Sequence, residues 1–194
     1  MQETGLLFGS FNPIHIGHLA LANYLLEYSS LDQIWFVVSP QNPFKEQSEL
    51  EDEQHRLKMV KLAISREERF IASDIEFDMP LPSYTLKTLE LLKESHPDHR
   101  FSLIIGSDNL LVFPRWHEAE KIIEKFNILV YPRPGYAPED AEKEILNKVT
   151  LIEAPLLDVS STLIRQAFSE KKQLPYLLTP EVYDYIIENS LYKK

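Results

Sequence analysis

The strongest constraint on the fold of this chain is an alternation. Short β-branched and aromatic runs are separated by stretches with helical periodicity. Gly5–Ser10, Gln33–Ser39, Phe70–Phe77, Phe101–Gly106, Asn127–Tyr131 and Val149–Ile152 read as strands. His18–Tyr28, apolar almost all round, reads as a helix packed deep in a core, and Glu51–Ile64, Tyr84–Leu92 and His117–Lys125 read as further helices. Thr179 before Pro180 supplies an N-cap and a proline at the first helical position, opening a last helix to about Glu188. Strands separated by helical patterns of about 10–15 residues make βαβ units, whose crossovers cover both faces of a parallel sheet. The expected fold is therefore α/β, a doubly wound, Rossmann-like, mostly parallel sheet. No linker or repeat divides residues 1–194, so a single domain is expected.

Composition narrows the chemistry. The absence of cysteine excludes disulfide frameworks, thiolate zinc sites, iron–sulfur clusters and cysteine nucleophiles. A net charge of −10, from 20 Lys+Arg against 30 Asp+Glu, argues against a broad surface for nucleic acid or anionic membrane, yet leaves room for a small basic pocket. The start of the chain lacks the basic and apolar regions of a signal peptide, and no stretch approaches the ~18 apolar residues that span a bilayer, so a cytoplasmic location is expected.

In open α/β sheets ligands bind beyond the carboxyl ends of the strands, at the point where strand order reverses. Four clusters fall where strands should end. The first, Gly9-Ser10-Phe11-Asn12-Pro13-Ile14-His15-Ile16-Gly17-His18, joins a strand to a helix. Its glycines and short side chains let backbone approach a ligand, and the helix start offers N–H groups to an anion. His15 and His18 flank Gly17 and could reach one phosphate; they could also cap the helix, fill a core gap or, at spacing three, ligate a metal. The second is Pro40–Lys45, where Lys45 is a point charge on a loop. The third combines Ser83-Tyr84-Thr85, Gly106-Ser107-Asp108-Asn109 and Arg115-Trp116-His117. Asp108 could accept from ribose hydroxyls and Trp116 could offer a face to a flat ring, or they could serve as turn and core residues. The fourth, Ser160-Ser161-Thr162 with Arg165 one turn on, presents hydroxyls and a cation at a helix start, and equally suits an ordinary serine cap beside a surface arginine.

GSFNPIHIGHL resembles the signature of the nucleotidylyltransferase superfamily, whose His-x-Gly-His element also occurs in class I aminoacyl-tRNA synthetases. A chain of 194 residues lacks room for tRNA-binding parts. In their order, Ser-Tyr-Thr, Gly-Ser-Asp-Asn, Arg-Trp and Val-Ser-Ser-Thr-Leu-Ile-Arg are similar to the motifs of nicotinate-nucleotide adenylyltransferases, over nearly the whole chain. That resemblance implies transfer of the adenylyl group of ATP to nicotinate mononucleotide. It implies catalytic roles for His15, His18, Lys45 and Arg165. ATP would meet Gly9, Ser10, Phe11, Gly17, Gly106, Asp108, Ser160, Ser161 and Thr162, with the helical part from about residue 160 completing its site. The mononucleotide would meet Ser83, Tyr84, Thr85, Trp116 and Arg133. Mg²⁺ would bridge ATP phosphates and keep mostly water ligands. Phe44 stands where the family has a histidine, Lys87 where many members have aspartate, and Val159 replaces an isoleucine. The rival readings are another small adenylyltransferase, such as one using phosphopantetheine, and a catalytically silent nucleotide-binding module. No nucleic-acid or membrane partner is expected, and homo-oligomerisation is left open.

Overall fold

The computed structural model describes residues 1–40 and 50–193. Six strands form one sheet: β1 (Gln2–Gly9), β2 (Gln33–Val38), β3 (Phe70–Ser73), β4 (His99–Gly106), β5 (Asn127–Tyr131) and β6 (Thr150–Leu151). All neighbouring pairs run parallel, in the order β3-β2-β1-β4-β5-β6. Strand order reverses between β1 and β4, so the crevice beyond Gly9 and Gly106 is where a ligand belongs.

The period of two along the strands splits the core cleanly. Leu7 of β1, Ile34, Phe36 and Val38 of β2 and Ile104 of β4 face one way, against α1 (Ile16–Tyr28), α2 (Glu53–Ala63), α7 (Ser161–Ser169) and α8 (Pro180–Glu188). Leu6, Trp35, Val37, Leu103 and Ile105 face the other way, against α3 (Thr85–Ser95), α4 (Ser107–Val112) and α5 (Ala119–Lys125). A short α6 (Lys143–Leu146) precedes β6. Each fully buried Leu, Ile or Phe contributes about 1.5–3 kcal/mol relative to exposure, so both layers are held chiefly by these stripes. The doubly wound, parallel architecture expected from the alternation is the one observed.

Several boundaries differ for local reasons. β1 starts at Gln2 because Gln2–Thr4 pair with His99–Phe101. The run Phe70–Phe77 is a strand only to Ser73; the Phe77 N–H bonds to the Asp74 carbonyl and the chain turns. α5 begins two residues later than the periodicity predicts, since Glu118 sits in the left-handed region with φ of 56°. α1 is not buried on all sides: it buries Ala22, Leu25 and Leu26, while Tyr28 stays 73% exposed. α4 follows β4 directly, where Asp108 reads from the sequence as a turn residue.

Candidate functional site

The β1–α1 loop ends at His15, the N-cap of α1. The His15 N–H donates to His18 Nδ1 (3.2 Å), so in its neutral form His18 carries its proton on Nε2. The two imidazoles stack, with centroids 3.8 Å apart, and the edge of Phe11 meets His18 at 5.1 Å. A Cβ on Gly17 would come within 3.0 Å of His15 Nδ1, so only glycine lets this ring lie against the helix backbone. His15 is buried and its Nδ1 has no partner among the described residues. Burial, and then the charge of Arg133, lower its pKa to about 4. His15 is therefore neutral at physiological pH.

His15, Gly17, His18 and Arg133 line a small cleft of about 40 Å³ together with Leu157 and Val159. Arg133, expected among the mononucleotide's contacts, stands beside the histidines, with its Nε 3.9 Å from Asp108. Gly106 makes this possible, since a Cβ there would collide with Asp108 and meet Arg133 Cγ at 2.8 Å. Ser107, buried, donates to the Tyr136 carbonyl (2.8 Å) and accepts from the Arg133 N–H (2.9 Å), fixing the turn that carries Arg133.

Next to the cleft, at the strand reversal, lies a cavity of about 430 Å³. Gly9 and Ser10 of β1 and its loop, Ser83, Tyr84 and Thr85 at the start of α3, Gly106, and Arg115, Trp116 and His117 all line it. Tyr131 lines both spaces, and burial pushes its phenol above the ordinary range. Trp116 leans on Phe113 (5.4 Å), and its buried Nε1 has no partner among the described residues. Tyr84 and His117 meet at 4.3 Å with their rings tilted by 33°. Glu76, 2% exposed, also reaches this cavity; its carboxylate accepts from Ser83 Oγ (3.1 Å) and Thr88 Oγ1 (2.8 Å), tying the entry and first turn of α3 together.

The fourth cluster serves the loop from behind. Arg165 Nη1 donates to the Asn12 carbonyl (3.0 Å), and Ser161 Oγ to the Pro13 carbonyl (2.9 Å). Ser160 caps α7 by accepting from the Leu163 N–H, and Thr162 Oγ1 lies 3.5 Å from Arg165 Nη2. Phe11, expected against ATP, is 2% exposed with φ of 44°, so its ring packs inside the loop. Lys45 lies outside the described residues. No group of three or more His, Asp or Glu side chains converges to hold a metal among the described residues, and none of the helices is long and apolar enough to cross a membrane.

Residues 6–167 match the family model described as Cytidylyltransferase-like. A protein of Bacteroides fragilis, named "Probable nicotinate-nucleotide adenylyltransferase", is 50% identical over 97% of this chain and 92% of its own length. One of Flavobacterium johnsoniae with the same name is 50% identical over the full length of both. The chain belongs to the nicotinate-nucleotide adenylyltransferase family. A solved structure of Plasmodium falciparum nicotinic acid mononucleotide adenylyltransferase complexed with NaAD superposes with a TM-score of 0.82 at 24% identity, covering 99% of this chain and 98% of that one, which establishes the shared fold.

Proposed function

We propose that the chain transfers the adenylyl group of ATP to nicotinate mononucleotide, forming nicotinate adenine dinucleotide and pyrophosphate, a step of NAD biosynthesis in the cytoplasm. The observation that carries this reading is the adjacency of a histidine-lined cleft and a 430 Å³ aromatic cavity sharing Tyr131 at the strand reversal. The cavity suits a pyridine nucleoside, with Trp116 offering a ring face and the start of α3 offering N–H groups and the Thr85 hydroxyl to a carboxylate. The cleft suits the α-phosphate of ATP.

In the reaction a phosphate oxygen of the mononucleotide attacks the α-phosphorus in line; the new P–O bond forms as the bond to the β-phosphate oxygen breaks, and pyrophosphate leaves with that electron pair. Both reactants are anions, so positioning and charge stabilisation do the work. His18, held by the His15 N–H, points a donor at the α-phosphate, while the stacked, neutral His15 fixes its plane. Arg133 stands ready to exchange Asp108 for phosphate, and Lys45 supplies a further charge. Arg165, Ser161, Ser160 and Thr162 shape the start of α7 around the triphosphate, and Asp108 and Gly106 face the ribose. ATP enters as its Mg²⁺ complex, the ion travelling with the substrate, in keeping with a site built from histidines, hydroxyls and cations.

Incubation with Mg-ATP and nicotinate mononucleotide should yield dinucleotide and pyrophosphate in equal amounts. Pyrophosphate release independent of the mononucleotide, or no dinucleotide, would refute the assignment.

A further inference from the structure

Arg56 is the one charged side chain on the buried stripe of α2, and it is 1% exposed. All its hydrogen bonds go to main-chain carbonyls: Nε to Glu51 (2.9 Å), Nη1 to Ser10 and Ser39 (both 2.7 Å), and Nη2 to Pro40 (2.9 Å). No carboxylate among the described residues pairs with it directly; Glu51, Asp52 and Glu53 act on it only through their fields. One guanidinium thus gathers the carboxyl ends of β1 and β2 and the entry of α2, which only a planar fork of five donors can do.

We propose that Arg56 is a positioning residue for adenylyl transfer, holding the β1–α1 loop in the shape that presents its amides to the ATP phosphates. A trans peptide sets its N–H opposite its carbonyl, so drawing the Ser10 carbonyl onto Arg56 turns the Phe11 N–H to the ligand side of the loop. The same hold maintains Phe11 at φ of 44°, a conformation that a phenylalanine adopts only when its surroundings impose it. A second brace reaches the loop from the far end of the chain: Tyr192 Oη donates to Asn12 Oδ1 (3.0 Å), which also accepts from the Glu51 N–H (3.2 Å). Arg56 and Tyr192 touch the loop only from within the core; neither lines the cleft or the cavity.

This inference rests on the adenylyl-transfer reading, so the parent enzyme is assayed first; failure of the parent to make dinucleotide sinks that reading and not the geometry of the loop. With an active parent, Arg56→Lys keeps the charge and loses the fork. In folded protein, checked by circular dichroism and thermal melting, kcat should fall at least about tenfold, with KM for the mononucleotide within about threefold of the parent, because misplaced phosphate contacts cost rate rather than binding in the separate cavity. A folded Arg56→Lys with kcat within about twofold of the parent overturns the proposal, as does a rise in the mononucleotide KM as large as the fall in kcat, which marks general loosening. Should Arg56→Lys not fold, Tyr192→Phe decides: kcat lower by about threefold at unchanged mononucleotide KM supports the bracing of the loop, and parent-like kinetics overturn it.

Discussion

The β1–α1 loop and the cavity beside it share one crevice and are built on opposite principles. In the loop the main chain is pinned from several directions: Arg56 on Ser10, Arg165 and Tyr192 on Asn12, Ser161 on Pro13, and His18 on the His15 N–H. These partners come from α1, α2, α7 and Tyr192 near the chain end, so the loop takes its shape only when these remote parts of the chain come together. The cavity is walled by rings in pairwise contact, half-buried Tyr84 against exposed His117 and half-buried Trp116 against buried Phe113, with Glu76 the buried anchor beneath. Preorganised donors stabilise charge as it develops, whereas ring faces select a flat substrate and adapt to it. Under the proposed function, the first region is expected to set the rate and the second the choice of mononucleotide.

Substitutions can break that division. The largest effect belongs to His18→Ala, which should lower kcat by about 10²–10³ while KM for ATP changes only a few-fold, because its contact strengthens in the transition state. Steady-state kinetics read both constants, and an unchanged kcat would remove His18 from the chemistry. Trp116→Ala should act the other way, raising KM for the mononucleotide about tenfold with kcat within about threefold, the scale of one lost stacking face. A loss confined to kcat would show that the cavity shares in the rate.

A smaller effect follows from His15. Its folded pKa of about 4 lies below the ordinary 6.5, so the folded state resists protonation there. Above pH 6.5 the ring is neutral folded or unfolded and there is no penalty; as pH falls from 6.5 to 4 the unfolded state takes up a proton that the folded state refuses. Stability is then lost over that window, by about 3 kcal/mol at most. Urea unfolding at several pH values should show the parent losing more than His15→Asn between these limits. Parallel curves would mean that the ring is solvated in the folded state.

Much of this is legible in the sequence itself. His-x-Gly-His is local, so its strand-to-helix setting follows from a single segment, and the aromatic and β-branched runs define a sheet whose two faces the structure fills as expected. What escaped depends on partners remote in sequence. Arg165 and Ser161 lie at a helix start in any reading, yet only the tertiary fold shows their donors meeting the carbonyls of Asn12 and Pro13, about 150 positions away. Arg133 reads in the sequence as a residue facing the nucleotide, and only the tertiary fold shows that it stands with the histidines, where Gly106 leaves room for it. Arg56 left one trace, a cation four positions before Val60 on an apolar stripe. Glu76 left none, since a carboxylate between two apolar residues reads as the outer face of a strand.

The division between rate and choice is tested most directly by comparing kcat/KM for nicotinate and nicotinamide mononucleotides in the parent and in His18→Ala. The expected result is a clear preference for nicotinate in the parent, and the same preference within about threefold in the variant although both activities have fallen by about 10² or more. Equal use of the two mononucleotides by the parent, or a preference that collapses with His18, would contradict it.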